Sequence, residues 1–128
     1  MSKILIIEDE ESIRRVLNKV LMQDDKSYSI TEAVDGLDGI SKINSSKFEL
    51  ILCDIKMPKK DGIEVLKHIL TECPNTPTIM ISGHGDLETA VESMRLGAFD
   101  YISKPPDLNR LLNSVRSALL NKNFVKKG

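Results

Sequence analysis

The sequence predicts an α/β fold, a (βα)5 doubly wound parallel sheet, and three observations carry that expectation. Short continuous apolar runs alternate with stretches of helical period, the pattern of strands covered by helices on both faces. The alternation occurs five times, with no repeat or low-complexity segment between units. Right-handed crossovers between successive parallel strands then favour the strand order 2-1-3-4-5, with a switch point between the first and third strands.

The run Lys3 to Ile7 reads as a buried strand, and Ile13, Val16, Leu17, Val20 and Leu21 mark one helical face after it. Tyr28 to Ala33 gives the second strand, followed by a shorter helix with Leu37, Ile40 and Ile43 inward. Leu50 to Cys53 is a third, very apolar strand ending at Asp54, and Asp61 and Glu64 have the spacing of a capping box at the start of its helix. Thr78 to Ile81 is the fourth strand; Asp86 then caps a helix with Leu87, Ala90, Val91 and Met94 on its inner side. The fifth strand is Phe99 to Ser103. After Pro105 and Pro106, Asp107 opens a last helix carrying Leu108, Leu111, Leu112, Val115 and Leu119 at helical spacing.

Composition narrows the function classes. A chain of 128 residues with 41% hydrophobic and 29% charged content fits one globular domain. A net charge of -1 offers no electrostatic reason for this domain to bind nucleic acid or a membrane surface directly. The start MSKILIIEDE runs into four acids instead of a cleavage site, and no apolar stretch approaches bilayer-spanning length. Cys53 and Cys73 have no CxxC spacing and cannot make a disulfide framework, so the expected location is the cytoplasm.

The chemistry-bearing residues end the apolar runs: Glu8 and Asp9, Asp54, Ser82, and Lys104. In an open parallel sheet these carboxyl ends converge on one edge, where ligands bind. Carboxylates gathered there repel one another unless a cation sits among them, and a hard all-oxygen site suits magnesium. Taken alone, an acid pair after a strand is an ordinary solvated helix N-terminus, Ser82 can simply end a strand, and Lys104 can simply be exposed. Asp54 differs because the end of the most apolar strand is a costly place for an unpaired charge.

Four motifs then carry a resemblance that extends from Lys3 to about Leu120: Ile7-Glu-Asp-Glu10, Asp54-Ile-Lys-Met-Pro-Lys-Lys-Asp-Gly62, Ile81-Ser-Gly83 and Tyr101-Ile-Ser-Lys-Pro105. The chain resembles a receiver domain of bacterial two-component response regulators, with the CheY-like form of the flavodoxin-like sheet. The resemblance implies a phospho-accepting regulatory domain rather than an enzyme, with magnesium as cofactor and a sensor histidine kinase as partner. It implies that Asp54 accepts the phosphoryl group, that Asp9, Asp54 and the backbone carbonyl of Lys56 ligate magnesium, and that Glu8, where many relatives have aspartate, acts through a metal-bound water. It further assigns Lys104 and Ser82 to the phosphoryl oxygens, a switching role to Ser82 and Tyr101, an influence on attacking water to His84, and a cis peptide to Lys104-Pro105.

The stretch from Ser82 to Asp107 resembles receivers of the nitrogen-regulation type, NtrC and NtrX, which precede an ATPase and a DNA-binding domain. Residues 1–120 are accordingly expected to form the receiver and 121–128 a tail or the start of a linker, with transcription as the output; a stand-alone regulator is the alternative. A phosphorylation-dependent homodimer is expected on a face containing Met94, Arg95, Asp100, Tyr101 and Arg116. Two other classes fit poorly. A flavin-binding relative of the fold would need Ser, Thr and Gly where Glu8-Asp9-Glu10-Glu11 stands, and a hydrolytic aspartyl phosphatase a second acid close after Asp54, where Ile55 and Lys56 stand. His68 and His84 lack the partners of a zinc site. Gly83, Gly85 and Gly97 are read as backbone-conformation residues, and Lys126 and Lys127 as a solvated tail.

Overall fold

The computed structural model describes residues 2–83 and 87–120. Strands and helices alternate along them: β1 (Lys3–Ile7), α1 (Glu11–Asp24), β2 (Ser29–Ala33), α2 (Gly36–Ser45), β3 (Leu50–Asp54), α3 (Gly62–Glu72), β4 (Thr78–Ser82), α4 (Leu87–Leu96), β5 (Asp100–Ser103) and α5 (Leu108–Leu120). The five strands form one parallel sheet of order β2-β1-β3-β4-β5, as the alternation predicts. Tyr28 and Phe99 fall just outside the strands expected to start with them, yet both pack against the core.

Strand alternation divides the core in two. Ile4 and Ile6, Leu50 and Leu52, Ile79 and Ile81 face α1 and α5, where Leu17, Leu21, Leu111, Val115 and Ala118 complete the cluster. Leu5 and Ile7, Ile51 and Cys53, and Met80 face the opposite side, against Ile43, Val65, Leu66, Ile69 and Ala90 of the other three helices. Because β1 and β3 are needed on both faces, they read as unbroken apolar runs instead of alternating ones. Each fully buried Ile or Leu contributes about 1.5–3 kcal/mol, so the central strands dominate the energetics of the fold.

The helix caps follow the sequence signals in part. Asp61 accepts a hydrogen bond from the Glu64 amide, and Asp107 accepts from the amides of Asn109 and Arg110. Asp35 caps α2 in the same way through the Asp38 amide. Asp86, expected to cap α4, lies outside the described residues, as do His84, Gly85, Lys126 and Lys127. Gly97 has φ 128°, a left-handed conformation that favours glycine after α4. The Lys104-Pro105 peptide is cis, as the resemblance implies.

The helix faces need correction. Val16, Leu37, Leu87, Val91, Met94 and Leu108, expected to point inward, are all exposed. On α4 the buried positions are Ala90 and Ser93, whose hydroxyl donates to the Ala90 carbonyl. The small residues let α4 approach the sheet closely, and its larger apolar side chains flank the contact instead of filling it. Arg116 also leaves its expected face: its guanidinium donates to Asp24 at the end of α1, on the other side of α5. Arg110 occupies the position beside β5, donating to both Asp100 carboxylate oxygens and to the Tyr101 carbonyl.

Candidate functional site

Parallel pairing sets the site. Ile7 pairs with Cys53 and Asp54 with Ile81, so Glu8, Asp54 and Ser82 come out at neighbouring ends of β1, β3 and β4. Backbone bonding continues past the strands: the Glu8 amide donates to Ala33, Ile55 to Ile81, and Lys104 to Ser82. These bonds fix the chain just where the polar side chains begin.

Glu8, Asp9 and Asp54 each offer a carboxylate oxygen, and the three lie within 4.8 Å of one another. Glu8 and Asp54 are buried and Asp9 is exposed, so the cluster opens to solvent on the Asp9 side. Lys104 enters from the end of β5, its Nζ 3.0 Å from Glu8 Oε1, 3.1 Å from Asp54 Oδ2 and 3.5 Å from Glu10 Oε1. The contact with Asp54 is a hydrogen bond. The contact with Glu8 is an ion pair without hydrogen-bond geometry, which leaves Glu8 Oε1 buried with no donor among the described residues, while Oε2 accepts from the Glu10 amide.

Burial dominates the ionisation of this group. It raises Glu8 to about 7, aided by the Asp54 charge and opposed by the Glu10 amide and Lys104. Asp54 is also raised, by burial first, with Lys104 pulling the other way. Burial lowers Lys104, but its two carboxylate partners outweigh that and hold it above the ordinary lysine value. An added cation would favour the ionised form of both acids. The donor set is all oxygen, and Glu8 Oε1 lacks a donor, so the residues present fit a hard divalent ion such as magnesium.

The other expected residues fall around this centre. Lys56 is exposed in the connection directly after β3. Ser82 is buried at the end of β4, next to Ser103 in the register and one residue before Gly83. Tyr101 is half-buried and packs against the cluster that contains Met80, Ala90 and Ala98. Asp100, beside it, accepts from Arg110 and from the Ser114 hydroxyl.

Several contributors escape a sequence reading. Gly62 is one: a Cβ there would sit 2.2 Å from the Asp54 carbonyl oxygen and 2.6 Å from Ile55 Cα. Its amide donates to the Ile55 carbonyl, clamping α3 onto the strand end that presents Asp54. The Asp61-Gly62 pair after a strand-ending aspartate is the available signal. Gly36 admits the Lys60 carbonyl in the same manner, with a virtual Cβ contact of 2.0 Å. Arg14 is another: its Nη1 donates to the Glu8 carbonyl at 2.8 Å.

Two buried acids and one exposed acid beside a lysine at the carboxyl edge of a doubly wound sheet are consistent with a phosphorylation site, and the matching family makes the domain a regulatory phospho-acceptor rather than an enzyme. The chain belongs to the response regulator receiver domain family, whose family model matches residues 4–116. It is similar to the transcriptional regulatory protein ZraR of Klebsiella oxytoca, 36% identical over 116 residues that cover 91% of this chain and 26% of that protein. DltR of Streptococcus agalactiae, also named a transcriptional regulatory protein, is 35% identical over 98% of this chain and 58% of its own length. Among solved structures, the receiver domain of NtrX from Brucella abortus superposes with a TM-score of 0.84 at 35% identity, covering 91% of this chain and 98% of that one. The chain therefore resembles receivers of the NtrC family and spans about a quarter to three-fifths of the length of these curated relatives. Among the described residues, no helix is long and apolar enough to cross a membrane.

Proposed function

We propose that Asp54 accepts a phosphoryl group from the phosphohistidine of a sensor histidine kinase, and that this receiver thereby switches an output. The observation that carries the reading is the placement of Lys104 Nζ 3.1 Å from Asp54 Oδ2 beside the carboxylates of Glu8 and Asp9. One side chain is thus both buried enough to be singled out and supplied with a cation for incoming phosphoryl oxygens.

The chemistry is a balanced displacement. An ionised Asp54 oxygen attacks phosphorus, the new P–O bond forms as the P–N bond of phosphohistidine breaks, and the electron pair leaves on the imidazole nitrogen. Magnesium, when bound, offsets charge on the phosphoryl oxygens. Asp9, Asp54 and the Lys56 backbone carbonyl would hold it, with Glu8 Oε1 accepting from a metal-bound water. Lys104 exchanges its carboxylate partners for phosphoryl oxygens, and the Ser82 hydroxyl donates to one of them. That inward pull makes room for the Tyr101 ring, so the signal leaves along β4 and β5.

Transcription regulation is the output we propose, through further domains of a longer polypeptide; the relatives named as transcriptional regulators extend well beyond the matched region. Residues 1–120 are then the receiver and 121–128 the start of a linker, and the protein works in the cytoplasm. Phosphorylation strengthens a homodimer through Met94, Arg95 and Tyr101, with Asp100 already engaged by Arg110 within its own chain. The test is labelling by acetyl phosphate. Parent protein gains one acid-labile phosphoryl group with magnesium and loses the reaction with a chelator, and Asp54→Asn gains none; undiminished label on the variant would refute the assignment.

A further inference from the structure

The acidic connection between β1 and α1 is held by the Glu8 amide bonded to the Ala33 carbonyl, by the Glu10 amide bonded to Glu8 Oε2, and by a third contact from α1. Glu10 stands at the N-cap of α1 but makes no side-chain cap, so the helix start does not by itself fix Glu8 and Asp9. Arg14, one turn into α1, reaches back instead. Its Nη1 donates to the Glu8 carbonyl at 2.8 Å, and that carbonyl belongs to the same planar peptide as the Asp9 nitrogen. Rotation of this peptide would swing the Asp9 carboxylate relative to Asp54.

Arg14 is itself held from two directions. Its Nε donates to Glu32 Oε1 at 3.0 Å, and Glu32 Oε2 accepts from Asn18 Nδ2 at 2.6 Å. Glu32 lies on β2, opposite Ile6 in the register, and so is anchored to the strand that leads into the acids. The Arg14 side chain is only 12% exposed, which places the planar fork among fixed partners instead of in solvent. The charge of Glu32 neutralises a guanidinium that would otherwise oppose a cation nearby.

We infer that Arg14, oriented by Glu32 and Asn18, is a positioning residue for cation binding by Asp9 and Asp54. This rests on the reading of those carboxylates as the magnesium site. Partners that orient metal ligands typically govern affinity by about 10- to 100-fold. Electrostatics alone predicts the reverse, because removing a positive charge beside an acidic cluster tightens cation binding. The sign of the effect therefore separates positioning from charge.

The experiment is a magnesium titration followed by the amide resonances of isotope-labelled protein, for the parent, Arg14→Gln, Arg14→Lys and Asn18→Ala. Positioning predicts that Arg14→Gln raises the magnesium midpoint about tenfold. Arg14→Lys fails to restore it, since a single ammonium replaces a fork that serves the Glu8 carbonyl and Glu32 together. Asn18→Ala, which changes no charge but removes the hydrogen bond that orients Glu32, shifts the midpoint the same way by a smaller factor, and it decides the matter alone if the Arg14 variants do not fold. An unchanged or lowered midpoint in the folded variants overturns the inference and leaves the magnesium site standing. A parent that shows no saturable magnesium response overturns the site reading and this inference with it. Thermal melts without magnesium run in parallel; a loss of stability with an unmoved midpoint marks Arg14 as merely structural and overturns the proposal.

Discussion

Replacing Lys104 with methionine isolates the electrostatics of the cluster. The substitution keeps the length of the apolar stem and removes the cation that lies 3.0 Å from Glu8 and 3.1 Å from Asp54. Removing one partner of a buried ion pair costs about 3–5 kcal/mol when the remaining charge stays uncompensated. Here the cost depends on pH, because Glu8, with a pKa raised to about 7, already carries a proton in acidic buffer. For a carboxyl whose folded value lies above its unfolded one, the native state holds the extra proton across the window between them, so stability falls as pH rises through it. In the parent that window runs from 4.5 to about 7 and amounts to about 3 kcal/mol. Without Lys104 the folded pKa of Glu8 rises further, so the variant continues to lose about 1.4 kcal/mol per pH unit where the parent levels off. Urea unfolding in chelator should therefore give a penalty of about 1–2 kcal/mol near pH 5 that grows, above about pH 7, to about 2–3 kcal/mol near pH 8. Magnesium should recover more stability in the variant than in the parent, by offsetting the same charge. Stability curves of the two proteins that run parallel between about pH 5 and about pH 8 would show that Glu8 does not hold the proton, and would refute the reasoning.

Gly62→Ala forces a Cβ to 2.2 Å from the Asp54 carbonyl oxygen, so the backbone must shift; we expect a loss of about 1–3 kcal/mol in urea unfolding together with slowed labelling by acetyl phosphate, and normal values for both would remove the glycine from the site. Ser82→Ala should still accept the phosphoryl group but respond weakly, because the hydrogen bond proposed to drive the switch supplies only about 1.5–3 kcal/mol; Tyr101 ring resonances that change as fully as in the labelled parent would sink the coupling. Sedimentation of phosphorylated protein should show a dimer that Tyr101→Ala weakens and Arg116→Ala does not, since Arg116 is turned toward Asp24; equal weakening by both would reject the face.

Much of this architecture was legible because the strands are simple. Leu50 to Cys53 and Ile4 to Ile7 are buried on two faces and admit few other readings, and the residues that directly follow them are the acids Glu8, Asp9 and Asp54. The helices were harder for a physical reason. Apolar spacing gives the direction of the buried stripe but not its width, so Val16, Leu37 and Leu108 looked equivalent to Leu17, Ile43 and Leu111. On α4 the closest packing is made by Ala90 and Ser93, and a serine carries no hydrophobic signal. Site residues that act through backbone were least visible. Gly62 matters for the atom it lacks, and Arg14 for a carbonyl six residues earlier, neither of which a pattern of side-chain types can express.

Lys104 and Asp54 are separated by 50 positions, and the lysine follows β5, the last strand to be made and a strand at the sheet's edge. During synthesis the nascent chain presents Glu8, Asp9 and Asp54 long before their counter-charge exists. Only when β5 docks against β4 does the lysine arrive, carried by a backbone bond to Ser82. On the proposed reading, docking of β5 and competence of Asp54 to accept a phosphoryl group coincide, because a copy in which β5 has not docked lacks the cation beside that carboxylate.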